Sequence, residues 1–134
     1  MPLFLHFIHM TDLATVQKLL FKFRDDRDWQ QFHTLKNLII SLNLEAAELL
    51  ELTQWKSDEE LAALLPDAGF QQALRDECAD VFLYLLLIAN GGGFDLLQAA
   101  QEKIGKNAVR YPVDQSKGSA KKYTELAPPE DGAD

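Results

Sequence analysis

Leu38-Ile39-Ile40-Ser41-Leu42-Asn43-Leu44-Glu45-Ala46-Ala47-Glu48-Leu49-Leu50-Glu51-Leu52 is an apolar run interrupted by acids, and its reading decides the fold. At about 100° per residue in an α-helix, Leu38, Leu42, Glu45, Leu49 and Leu52 fall on one stripe, with Ser41 and Glu48 on its edge. Ile39, Ile40, Leu44 and Leu50 lie well off that stripe, so the helix is apolar almost all round. Such a helix needs cover on more than one side, which four or five helices of one small chain hardly supply. Burial against another subunit is therefore expected.

Helical spacing extends outward in both directions, and no segment alternates like a strand between hairpin turns. The class expected is all-α. Upstream, Leu13, Val16, Leu19, Leu20 and Phe23 form a first helix from Asp12, which dissolves into the charged stretch Arg24 to Asp28 before Trp29. The second helix starts near His33 or Thr34, with Thr34 as a candidate N-cap, and runs to about Gln54. Ser57 and Glu60 have capping-box spacing, predicting a short helix to Leu65 before Pro66, Asp67 and Gly69 break it. A fourth helix is expected from about Gln71 to Ala89, stopped by Asn90-Gly91-Gly92-Gly93, and a fifth from Asp95 to about Val109.

The 134 residues suit one compact domain, and 21 acidic against 13 basic residues give a formal net charge of -8. That balance argues against binding a nucleic-acid polymer, whose phosphates are met mostly by Lys and Arg. The lone cysteine, Cys78, stands in an apolar run and reads as a small buried packing residue. The apolar opening, residues 1–10, lacks a basic start and is too short to span a membrane, so the expectation is a cytoplasmic protein with no membrane partner. Met10-Thr11-Asp12 reads as an ordinary N-terminus, which makes the residues before it a candidate extension. Residues 11–126 are then the folded domain, and 127–134, rich in Pro, Gly and acid, a disordered tail.

The same angular count on the fourth helix puts Glu77 among Phe70, Leu74, Val81, Tyr84 and Ile88, with Asp80 on the edge of that stripe. Each of the two longest helices thus carries an acidic i, i+3 pair on its apolar face. One such acid would read as a surface residue on a Leu-rich helix; two pairs do not. A buried carboxylate without a partner is costly, and the nearby cations, Lys36 and Arg75, point to the opposite sides of their helices. A divalent cation neutralises the four acids, and all-oxygen ligands suit magnesium, or manganese in its place, better than zinc. Neither pair has the Glu-x-x-His spacing of a di-iron bundle; the histidines are His6, His9 and His33. One-sided carboxylate sites keep positions open for phosphate oxygens. Taken alone, the residues leave open a metal-dependent enzyme or a metal-stabilised helical oligomer that binds a phosphorylated ligand.

An ordered set of residues resembles the MazG-like all-α nucleoside triphosphate pyrophosphohydrolases, most closely their dCTP pyrophosphatase branch. The set is Phe23-Arg24-Asp25-Asp26-Arg27-Asp28-Trp29, Gln31-Phe32-His33, Asn37-Leu38, Glu45 with Glu48, and Gln54-Trp55-Lys56. It continues with Glu77-x-x-Asp80, Val81, Tyr84, Lys103, Asn107, Arg110-Tyr111-Pro112 and Lys121 to Leu126. The resemblance implies a helical bundle that hydrolyses a nucleoside triphosphate to its monophosphate and pyrophosphate, with Glu45, Glu48, Glu77 and Asp80 holding magnesium. It implies substrate contacts from Trp29, His33, Asn37, Trp55 and Tyr84 around the base and sugar, from Lys103, Asn107, Arg110 and Lys121 toward the phosphates, and from Tyr111. It also implies a dimer-of-dimers homotetramer. Many members carry two adjacent glutamates where this sequence has Leu44 before Glu45, which bears on the number of metal ions and on the general base. A related hydrolase acting on dUTP or a phosphoribosyl nucleotide is the alternative enzyme, and a non-catalytic nucleotide- or metal-binding oligomer the alternative class.

Overall fold

The structure is a computed structural model and describes residues 11–126; residues 1–10 and 127–134, read above as extension and tail, lie outside the described residues. Among the described residues there are six α-helices and no strand, which agrees with the all-α reading. The chain gathers into two compact units, one ending at Gly93 and the other beginning at Phe94.

In the first unit, α1 spans Leu13–Asp26, and Asp12 caps it by accepting from the Thr15 amide at 2.8 Å. Asp28 at φ 54° turns the chain out of α1, and a short 3-10 turn, Gln30–Phe32, leads to the next helix. α2 spans Leu35–Glu51, with Thr34 as its cap. It ends three residues before the expected Gln54. There the Leu52 and Thr53 amides bond to carbonyls three residues back, and Trp55 takes a left-handed φ of 65°. α3, Asp58–Leu64, has the expected reciprocal capping box between Ser57 and Glu60.

α4 spans Ala68–Gly92 and is longer at both ends than the sequence suggested. Asp67 caps it by accepting from the Phe70 amide at 2.9 Å, so the Pro-Asp-Ala-Gly segment starts the helix rather than separating it from α3. At the far end the helix passes through Asn90, Gly91 and Gly92, and only Gly93, at φ 72°, supplies the left-handed residue that stops it.

α2 and α4 pack along each other and contribute the four apolar residues that are buried among the described residues, Leu38, Leu86, Leu87 and Ala89. Their pairing brings the two acidic helix faces together. Ile39, Ile40, Leu44 and Leu50 on α2 and Phe82 on α4 stay exposed in the single chain. Cys78 is exposed, which corrects the buried-packing reading. It follows Glu77 by one position and shares the exposed face of α4 with Arg75 and Phe82, away from the stripe that carries the acids.

The second unit holds α5, Leu96–Arg110, capped by Asp95, and a short α6, Val113–Ser116, that the sequence pattern did not reveal. A 3-10 turn, Tyr123–Glu125, closes it, with the Tyr111 and Tyr123 rings edge to face at 6.1 Å. No single helix among the described residues is long and apolar enough to cross a membrane.

Candidate active site

Glu45, Glu48 and Glu77 each offer a carboxylate oxygen, and the three oxygens lie within 4.8 Å of one another. The first two stand at i, i+3 on α2 and the third faces them from α4, so the cluster exists only because these helices pair. Glu45 Oε2 and Glu77 Oε2 are buried, and neither has a hydrogen-bond partner among the described residues. Glu45 is pushed above the ordinary carboxyl value first by burial, then by the Glu48 and Asp80 charges, the Glu48 carboxyl against it, and Glu77. Glu77 is pushed up likewise by burial, then by Glu48, through charge and direct contact, and by Asp80 and Asp76. Both ion pairs in the described residues, Lys22–Asp26 and Arg24–Asp25, lie on α1, away from these acids. Clustered acids with orphaned buried oxygens, and with no ion-pair partner among the described residues, fit a hard divalent ion, which meets carboxylate oxygens without any other ligand type.

Asp80 contributes charge to the cluster and also lines a cleft of about 440 Å³. Along α4 the cleft follows Asp80, Leu83, Tyr84 and Leu87, positions i, i+3, i+4 and i+7 of one face. The opposite wall comes from α1 and its exit: Val16, Leu20, Phe23, Arg24, Trp29 and His33. Trp29 is held edge to face on Phe23 at 5.7 Å. A mostly apolar cleft with an acidic cluster at one end is suited to a ligand with a flat apolar part and a charged tail.

A model of the MazG-like family matches residues 40–126, a span that includes all four acids. The chain belongs to the MazG-like family. dCTP pyrophosphatase 1 of Mus musculus is 43% identical over 114 residues, covering 85% of this chain and 67% of that protein. The Homo sapiens protein of the same name is 39% identical over the same shares. A pyrophosphatase from Archaeoglobus fulgidus DSM 4304, known from a crystal structure, superposes with a TM-score of 0.69 at 36% identity, over 74% of this chain and 91% of that one.

Of the residues that the MazG-like resemblance singled out around a base, the structure brings Trp29, His33 and Tyr84 to the cleft beside Asp80. Burial, followed by the nearby Arg24 charge, pushes the His33 imidazole below its ordinary value, so it is neutral at pH 7. Its Nδ1 is buried without a partner among the described residues. Asn37 is committed elsewhere, its side-chain amide donating to the Phe32 carbonyl at 3.0 Å. Trp55 is 93% exposed and closes neither core nor cleft within the chain.

In the second unit, Lys103 and Asn107 are exposed at i, i+4 on α5. Arg110 sits over the Tyr123 ring at 5.2 Å, and Lys121 is exposed. The sequence reading gave no separate role to Arg24, which is buried and lines the cleft. It lies four residues after Leu20 and eight after Val16, on the apolar stripe of α1, and a cation on such a stripe was a signal available in the sequence.

Proposed function

We propose that this MazG-like chain hydrolyses deoxycytidine triphosphate, or base-modified forms of it, to the monophosphate and pyrophosphate with magnesium. It is a nucleoside triphosphate pyrophosphohydrolase, and the preference for a cytosine base is carried over from the dCTP pyrophosphatase 1 relatives. The observation that carries the reading is the juxtaposition of the three-glutamate cluster with the Asp80 end of an apolar cleft.

Glu45, Glu48, Glu77 and Asp80 are proposed as the magnesium ligands, with manganese able to substitute. When bound, magnesium supplies positive charge against the triphosphate oxygens and makes a water more acidic. The acids fix that charge at the mouth of the cleft, so the α-phosphorus is presented there while the base lies among Trp29, His33 and Tyr84. In the reaction the water oxygen bonds to the α-phosphorus and the bond from it to the β-bridging oxygen breaks. One cluster carboxylate takes the water's proton. Glu45 and Glu77 are suited to it, because burial and neighbouring acids raise their pKa, and a raised pKa makes a carboxylate the stronger base. Lys103, Asn107, Arg110 and Lys121 carry donors suited to phosphate oxygens, Tyr111 is proposed as a further substrate contact, and each keeps that role as a proposal.

The exposed apolar face of α2 supports a homo-oligomer, proposed as a dimer of dimers, in which Trp55 gains cover from another copy. Residues 11–126 are the proposed catalytic region, and the cytoplasm, with its nucleotide pool, the proposed compartment. The test is pyrophosphate release from a panel of dNTPs, NTPs and base-modified dCTPs with magnesium, by wild type and by Glu77→Gln. Deoxycytidine triphosphates should rank first, and the variant should fall by at least about a hundredfold. Equal activity of Glu77→Gln and wild type would refute the site.

A further inference from the structure

Arg24 is the one charged residue buried among the described residues, and it stands at the opposite end of the cleft from the acids. Its Nη1 donates to Asn90 Oδ1 at 3.4 Å, and Asn90 lies ten residues beyond Asp80 on α4. At the rise of an α-helix that separation is about 15 Å. The acids gather the charged end of a ligand, so whatever meets Arg24 belongs to the other end.

Two of the five guanidinium N–H groups are engaged: Nε donates to Asp25 Oδ1 at 2.8 Å and Nη1 to Asn90. The Asp25 carboxylate, held below its ordinary range mainly by that hydrogen bond, balances the charge from the Nε side. The remaining three donors have no acceptor among the described residues. Beside them lies a side cavity of about 70 Å³, lined by Arg24, Gln30, His33, Leu38, Leu87 and Asn90. His33, whose Nδ1 is without a partner among the described residues, lines both this cavity and the main cleft. The side chain is 10% exposed and its guanidinium lies over the Phe21 ring at 5.0 Å, so the group is held in place with donors that water can reach and a ligand in the cleft can take over.

We propose that Arg24 is a specificity-determining residue that donates to a carbonyl oxygen or ring nitrogen on the acceptor edge of the substrate's base, at the Leu87 end of the cleft. The proposal rests on the pyrophosphohydrolase reading above and adds to it the group that reads the base. From Asp80 to Leu87 the cleft runs about 10 Å along α4, which separates the phosphate end from the base end. A phosphate oxygen is the wrong partner at this end, because the acids that would gather the phosphates are at the other.

The experiment compares dCTP with a deoxynucleoside triphosphate whose base is replaced by a flat isostere lacking strong acceptors, such as difluorotoluene. Wild type should favour dCTP. Arg24→Met keeps the apolar stem and removes the donors. It should raise KM for dCTP, lowering kcat/KM by about ten- to a hundredfold, while the isostere changes little. Arg24→Lys should restore part of the preference. Asn90→Ala removes the link to α4 but not the donors, and should keep the preference.

Equal losses on dCTP and the isostere in Arg24→Met would overturn the assignment and make Arg24 a structural tie. Loss of preference in Asn90→Ala as complete as in Arg24→Met would do the same. Wild type releasing no pyrophosphate from dCTP would instead remove the underlying reading, and this inference with it.

Discussion

Magnesium binding should weaken on acidification with a steepness set by two carboxyl groups. Glu45 and Glu77 are both raised above 4.5, the ordinary glutamate value, by burial and by their acidic neighbours. A cation entering the cluster must displace whatever protons they hold. Because the two acids share neighbours, they titrate as a coupled pair rather than singly. Between 4.5 and their raised values each bound proton adds one power of ten per pH unit. Affinity should therefore fall by up to about a hundredfold per unit with both acids present, and by up to about tenfold in Glu45→Gln. Calorimetric titration of magnesium or manganese from about pH 8 down to about pH 5 reads both slopes.

The metal-free fold should show the opposite trend. A carboxyl whose folded pKa is raised binds more protons in the native state than in the unfolded one. Its contribution to stability is then fully present below 4.5 and is lost as pH rises through the folded value. From these groups, mild acidification above about pH 4.5 should raise the melting temperature without metal and leave it nearly unchanged with saturating magnesium, because the protons the metal-free fold gains are the ones the ion displaces. An affinity independent of pH, or one slope shared by wild type and Glu45→Gln, would refute the reasoning.

Leu86 is 0% exposed, so Leu86→Ala should cost about 3–5 kcal/mol in urea unfolding. Asp67→Ala removes the cap that begins α4 and should cost about 1 kcal/mol by thermal melting, with the pyrophosphatase rate at saturating magnesium little changed. Leu44→Glu places a charge on the outer face of α2, where Leu44 is 62% exposed in the single chain. Light scattering should show a smaller assembly than wild type; an unchanged mass would place the subunit contact elsewhere.

The helices were legible because their signals are local. Asp12, Thr34, Ser57 and Asp95 each cap a helix where the sequence placed a start, and the apolar periods of α2 and α4 predicted faces that meet. The errors fell where one local cue met another. Pro66 and Gly69 read as breakers, yet Asp67 between them supplies a cap, and Gly91 and Gly92 remain helical until Gly93 adopts the left-handed turn. Cys78 was misplaced because an apolar neighbourhood in sequence does not say which side of a helix is covered.

At the candidate site, Glu45, Glu48 and Glu77 could be brought together on paper because i, i+3 spacing fixes direction on each helix. The α1 wall could not. The apolar stripe of α1 marks Arg24 as facing inward, but what it faces is set by the contact with Asn90, an interaction across 66 positions that no local pattern carries. Trp55 illustrates the converse: its motif singled it out, but it takes a left-handed backbone and is exposed in the single chain.

The central claim is tested most directly by the products of one reaction. Wild-type protein, dCTP and magnesium in ¹⁸O-labelled water, followed by phosphorus NMR, should give dCMP and pyrophosphate in equal amounts with the label on dCMP. Label on pyrophosphate, release of dCDP with inorganic phosphate, or no turnover at all would contradict it.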